Sequence, residues 1–159
     1  MQANPSPVQT GFTLVELVVV MAIAAILLTL ALPSFNDSIA RRRVEGASNE
    51  LSADLQYAKT QALNNNGDVS LITSLTGYVI SGTTAAGNKI YKTIILDTGI
   101  NITQPITLTY SAFRGFPTTA VNFTIKNTQA TIQLRVSTDI TGRVLICSPS
   151  GTMNGYSTC

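Results

Sequence analysis

Hydrophobic and polar positions divide the chain into three zones. Residues 1–11, "MQANPSPVQTG", are polar, hold two prolines and carry no Lys or Arg. Residues 17–32 are then apolar throughout except for Thr29, and residues 12–15 extend the run to about twenty positions, enough to cross a bilayer as a helix. Glu16 is the one acid inside it. Pro33 interrupts the run, as a helix-kinking residue does. Beyond it, Val44, Ala47, Leu51, Leu55, Ala58 and Ala62 step by three or four residues among Arg, Glu, Asp, Gln and Lys, the period of an amphipathic helix. The "NNNG" at 64–67 stops it. A helix over residues 12–65 extends about 80 Å, so about half of it is expected to project beyond a body of under about 100 residues.

After Gly67 the period changes to two. "VSLIT", "GYVIS", "KIYKTIIL", "PITLTY", "VNFTIK", "ATIQLRV" and "RVLIC" are short, β-branched and mostly alternating, and "GTTAAGN", "DTGINITQ", "SAFRGFPTTA" and "TDITG" separate them as turns. This spacing predicts an antiparallel sheet or small sandwich packed on the amphipathic half of the helix, an α+β architecture.

Composition narrows the chemistry. The 159 residues suit one compact domain with one appendage. A formal net charge of +2 is too small to imply nucleic acid by itself, although Arg114, Lys126, Arg135 and Arg143 face a single acid, Asp139, from Ser111 onward. The absence of His removes histidine metal sites and histidine acid/base catalysis. There is no G-x-S-x-G elbow, Walker loop or C-x-x-C, and no cofactor is expected. Cys147 and Cys159 bracket a turn-rich terminal loop, which a disulfide would stabilise by about 3 kcal/mol and which favours an exported body. Two unrelated free thiols are the alternative.

The most specific signal is Gly11-Phe12-Thr13-Leu14-Val15-Glu16 at the head of the apolar run. With the break at Pro33, it resembles the signal of type IV pilins and type II secretion pseudopilins. The resemblance implies a pilin-like α+β fold in which residues 1–11 are a leader peptide, 12–33 a transmembrane and filament-core half-helix, and 34–159 an amphipathic half-helix with a periplasmic β-rich head. It further implies that prepilin peptidase cuts between Gly11 and Phe12 and N-methylates Phe12. Glu16 then becomes an assembly residue and no enzyme activity is expected.

The acid has a physical reason to be there. An unpaired carboxylate in hydrocarbon costs on the order of 2.5–3.5 kcal/mol. Cleavage creates an α-amino group on Phe12 one helical turn from Glu16, and in a filament the amino terminus of a neighbouring subunit can serve instead. A helix-start preference for acids is the plainer alternative. Charge bias points the other way on topology, because Arg41, Arg42 and Arg43 stand on the side assigned to the periplasm while the leader has no positive charge. The processing motif requires the leader to face the cytoplasm. The triple Arg reads as a solvated or headgroup-contacting turn.

"ASNELSADLQYAKTQALNNNGDVSLI", "LTYSAFRGFP" and "TDITGRVLICSPSG" resemble the GspH/FimT-type minor pilins, including FimT/FimU-like members. That resemblance implies a low-abundance subunit that helps start or tip a pilus, first held in the inner membrane and its lipid. Its partners would be other minor and major pilins, prepilin peptidase and the inner-membrane assembly machinery. The rivals are a minor pseudopilin of type II secretion and a DNA-binding pilin of natural transformation. The DNA-binding members carry a "GRxR"-like motif, where this chain reads Gly142-Arg143-Val144-Leu145 and lacks the second Arg. Arg143, Arg135, Lys126 and Arg114 would form at most a modest phosphate-contacting patch.

Overall fold

The structure, a computed structural model, describes residues 11–159 apart from 85–86, 130 and 152, and for 30–34 it describes the backbone alone. Residues 1–10 of the expected leader, which runs to Gly11, and the side chain of Pro33 lie outside the described residues. The chain divides into Met1–Asp37 and a larger unit, Ser38–Cys159. Helix α1, Leu14–Asn65, begins in the first and ends in the second.

Thr13 starts the helix. Its carbonyl accepts the Leu17 N–H at 3.2 Å and its hydroxyl accepts the Glu16 N–H at 3.2 Å, so Thr13 is the N-cap and Glu16 the third helical residue. At the other end Asn66, with φ 47°, reverses the chain, and the Gly67 N–H returns to the Ala62 carbonyl at 3.3 Å. The stop expected of "NNNG" is therefore made by its last asparagine, a residue that tolerates the left-handed region.

Eight strands follow: β1 Val69–Ser74, β2 Gly77–Thr84, β3 Gly87–Ile95, β4 Ile100–Ile102, β5 Thr107–Tyr110, β6 Val121–Asn127, β7 Gln133–Thr138 and β8 Val144–Cys147. They form two four-stranded sheets, ordered β3-β2-β1-β5 and β4-β6-β7-β8, with every pairing antiparallel. Strand β4 corrects the sequence reading, which left "DTGINITQ" as a turn. Three residues are too few to display an alternation, yet Ile100 and Ile102 are buried and pair with Asn127 and Ile125 of β6.

Alternation explains the packing. Val69 and Leu71 of β1, Ile80 of β2 and Leu108 of β5 point inward from one sheet, and Phe123, Ile125, Leu134 and Val136 do so from the other. They join Val44, Leu51, Leu55, Ala58 and Ala62 of α1 in one core. Ala58 and Ala62 keep the helix slim where the sheets approach. Each fully buried large aliphatic side chain is worth about 1.5–3 kcal/mol relative to exposure, so this seam holds helix and sheets together without the apolar run upstream.

Candidate assembly and binding surfaces

The apolar run has no cover of its own. Phe12 is 87% exposed, and Leu17, Val18, Val19, Val20, Met21, Ile23, Ile26, Leu27 and Leu28 are each exposed on successive faces of α1. A helix apolar all round is stable only when lipid or other helices surround it. Among the described residues no helix is long and apolar enough to cross a membrane. Glu16 is exposed beside its cap, where the Thr13 hydroxyl accepts from its backbone N–H. Thr13 escaped notice in the sequence, although Thr-x-x-Glu ahead of an apolar run is a capping signature.

The four cations considered for phosphate contact lie on four different segments of the head. Lys126 of β6 stands opposite Gln133 and Arg135 of β7 opposite Thr124, so both occupy the outer face of the second sheet. Arg135 lines a polar groove of about 200 Å³ with Thr103, Gln104, Asn122 and Thr124. Arg143 stands at the end of the β7–β8 turn, where Asp139 accepts the Thr141 hydroxyl at 2.6 Å and the Thr141 and Arg143 N–H groups at 2.8 and 3.0 Å. Those bonds, led by the Thr141 hydroxyl, hold the Asp139 carboxyl below the usual carboxylate range. Arg114 lies in the β5–β6 loop, with its guanidinium 5.6 Å from the Phe113 ring centre.

That loop is tied down by hydrogen bonds and carries two aromatic rings. Ser111 and Phe116, Gly115 and Ser111, and Thr118 and Thr109 are tied by backbone hydrogen bonds, and Asp68 accepts the Ala112 N–H at 2.8 Å. Gly115 has φ 62°, and a Cβ there would stand 2.9 Å from Leu63 Cγ. Phe113 is nonetheless 82% exposed and Phe116 is exposed beside it. Lys59 of α1, not singled out in the sequence, lies 5.9 Å from the Phe116 ring centre, and a Cβ on Gly142 would meet its Nζ at 3.2 Å.

A polar clamp joins helix to sheet. Tyr78 of β2 donates its hydroxyl to Asp54 at 2.8 Å, and Lys92 of β3 donates to both Asp54 oxygens at 2.8 Å and reaches Glu50 at 3.5 Å. Asp54 is buried on the apolar stripe of α1. Burial, then its bond to Asp54, pushes the Tyr78 phenol far above its ordinary range, and the Asp54 contact raises Lys92. Nothing in this clamp resembles a reaction centre, because both carboxylates are occupied by structural partners.

Cys147 and Cys159 are joined by a disulfide, and no described cysteine is free. The terminal turn is tied down as well. The Ser148 N–H donates to the Ser157 carbonyl at 2.8 Å, Met153 is buried in the core, and Arg41 Nη1 approaches the Met153 sulfur at 3.8 Å.

A capped apolar helix, a helix–sheet seam and a disulfide-closed head define a pilin-like structural subunit. Residues 7–32 match the prokaryotic N-terminal methylation motif, and residues 47–142, more than half of the chain, match the type II transport protein GspH family. The chain belongs to the GspH family. Its fold is similar to that of the minor pseudopilin EpsH from the type 2 secretion system of Vibrio cholerae, with TM-score 0.56 and 15% identity over 67% of this chain and 98% of that one. It is equally similar to the type IV minor pilin FimU of Pseudomonas aeruginosa, with TM-score 0.57 and 22% identity over 72% and 95%. By sequence, a fimbrial protein of Pseudomonas aeruginosa is 42% identical over 65 residues, 41% of this chain and 42% of the relative. The type IV major fimbrial protein FimA of Dichelobacter nodosus is 56% identical over 41 residues, 25% and 26%. The chain thus spans less than half the length of these curated relatives. The family and its fold neighbours are structural pilin or pseudopilin subunits rather than enzymes.

Proposed function

We propose that this chain is a minor type IV pilin that helps initiate or tip pilus assembly. The observation that carries the reading is the union, in one chain, of an N-terminal methylation motif over 7–32 with a GspH head over 47–142. Likeness to type IV fimbrial proteins over part of the chain favours a pilus. In this reading prepilin peptidase cuts between Gly11 and Phe12 and methylates Phe12. The apolar half of α1 crosses the inner membrane once, with the head in the periplasm, and then enters the filament core through the assembly machinery. Its uncovered apolar faces require one environment or the other. Glu16 pairs with an amino terminus there, and the Phe113 loop meets neighbouring pilins.

Deletion of the gene tests this directly. Loss of surface pili, restored by the wild-type chain and not by a Gly11 variant that resists cleavage, is the expected result. Normal pili with failed protein export would replace this reading with the second one, a minor pseudopilin, which the fit to nearly the whole EpsH chain supports.

A further inference from the structure

Arg41, Arg42 and Arg43 stand on the head side of the apolar run, where a single-pass chain with a cytoplasmic leader ordinarily avoids positive charge. The helix turns the three apart. Arg41 reaches Met153, whereas Arg42 and Arg43 are exposed and both line a groove of about 490 Å³ beside the end of β3. Among the described residues, no carboxylate lies within ion-pair distance of either. Ile39, Ala47 and Ile95 give the groove apolar flanks, and Ile95 is 83% exposed. Two acids also line it: Glu50, held by Lys92 at 3.5 Å, and Asp97.

We infer that this groove receives the phosphoglycerol headgroup of an anionic membrane phospholipid, with phosphate oxygens accepting from Arg42 and Arg43 and headgroup hydroxyls donating to Asp97. The inference rests on the single-pass topology proposed above. Three arguments select this occupant. Planar guanidinium groups match phosphate oxygens and are weakly hydrated, so they suit a partly apolar cleft. Arg42 follows Leu32 by only ten positions in the sequence, so little chain separates it from the apolar run, and a long arginine side chain suits headgroup depth. Finally, Glu50 and Asp97 admit one phosphate between two arginines but repel a polyanion, which would lay several charges across them. A lipid ligand also gives the misplaced positive charge a use on the periplasmic side.

The test uses the full chain in nanodiscs of phosphatidylcholine alone or of equal parts phosphatidylcholine and phosphatidylglycerol, read by hydrogen exchange of residues 39–47 and 94–100. Exchange about fivefold slower in the phosphatidylglycerol discs is expected, with the difference abolished in an Arg42→Gln, Arg43→Gln double variant that still enters the discs. Equal exchange in both discs, or slowing that survives the double variant, overturns the inference while leaving the topology intact. Slowing reproduced by soluble glycerol phosphate over phosphatidylcholine discs overturns a lipid source. Protection seen only in assembled filaments assigns the groove to a subunit contact and overturns it too. A chain that fails to enter discs at all removes the topology and the inference together.

Discussion

Asp54 of α1 and Tyr78 of β2 meet through a 2.8 Å hydrogen bond inside the helix–sheet seam, and Lys92 of β3 closes on the same carboxylate at 2.8 Å. The clamp makes stability fall at alkaline pH. Tyr78 and Lys92 both have folded pKa values raised above their unfolded ones, and burial pushes Tyr110 up to about 12. Raised groups stabilise fully below their unfolded values, about 10 for Tyr and 10.4 for Lys, and that contribution is lost as pH rises toward the folded values. Each buried tyrosine then removes up to about 1.4 kcal/mol per pH unit above pH 10. Chemical unfolding of the full chain in detergent between pH 9 and about 11.5 is expected to show this slope, and Tyr78→Phe to flatten it. An unchanged slope in the Phe variant would remove Tyr78 from the account. At pH 7, Asp54→Ala is expected to cost about 2–4 kcal/mol, since Tyr78 loses its acceptor and Lys92 rehydrates only in part.

The Cys147–Cys159 link closes a separation of 12 residues around buried Met153. Reduction, or a Cys147→Ser, Cys159→Ser double variant, is expected to lower stability by about 3 kcal/mol through the freedom regained by the unfolded chain. The variant should also raise hydrogen exchange at the Ser148 N–H, which the Ser157 carbonyl now holds at 2.8 Å. A melting temperature insensitive to reductant would show that Met153 packing alone retains the turn.

What was legible in the sequence is what repeats with a fixed period. Val44, Leu51, Leu55, Ala58 and Ala62 read as one helix face because 3.6 residues close a turn, and they are all buried. Alternation located seven strands but not β4, whose three residues leave no period to detect. Asp54 carried a signal that was overlooked: an acid three residues after Leu51 and four before Ala58 falls on the apolar face. Its partners Tyr78 and Lys92 lie 24 and 38 residues away, and only strand register brings them to it. The placement of the four cations was hidden for a related reason. Strand parity says which face Arg135 and Lys126 occupy, and the turn "SAFRGFPTTA" sets Arg114 in a loop, but neither says which strands are neighbours.

Besides its proposed assembly role, Glu16 occupies the third helical position after the Thr13 cap, where a Glu or Gln side chain can accept from the backbone N–H of the cap residue. The two are separable by charge. Glu16→Gln keeps a side-chain acceptor for the cap and loses the carboxylate, whereas Glu16→Ala loses both. If pairing with an amino terminus is the role, both variants should be processed normally and enter filaments about seventyfold less or worse, in line with a cost of about 2.5–3.5 kcal/mol for an unpaired buried partner. Quantitative blotting of sheared pili against membrane fractions measures it. Incorporation of the Gln variant at wild-type levels would assign Glu16 to helix capping.

Four dispersed cations set a ceiling on any contact with duplex DNA. With Arg114, Lys126, Arg135 and Arg143 all engaged, log affinity falls with log salt at a slope no steeper than about −3.6. Titration of the full chain in detergent with duplex DNA at several salt concentrations is expected to stay within that bound and to show no base preference, because contacts from such cations to phosphate carry no sequence information. A steeper slope would mean that further cations, with Lys59 the first candidate, take part.

Gly115 and Phe113 divide the β5–β6 loop into a part that holds and a part that is offered. Gly115 sits at φ 62° against Leu63, where a methyl group would be 2.9 Å from Cγ. Gly115→Ala therefore strains the backbone and displaces Leu63, costing about 1–2 kcal/mol. Phe113 makes no such contact and is exposed above its arginine, so Phe113→Ser should change stability by less than about 0.5 kcal/mol. A loop fixed by so many backbone bonds gains nothing for its own fold from a solvent-exposed phenyl ring, which points to a partner that covers it. Site-directed cross-linking from the loop to neighbouring pilins should consequently fall in both variants, while the melting temperature falls only in Gly115→Ala. Undiminished cross-linking in Phe113→Ser would leave the ring without a role in assembly and move the subunit contact elsewhere on the head.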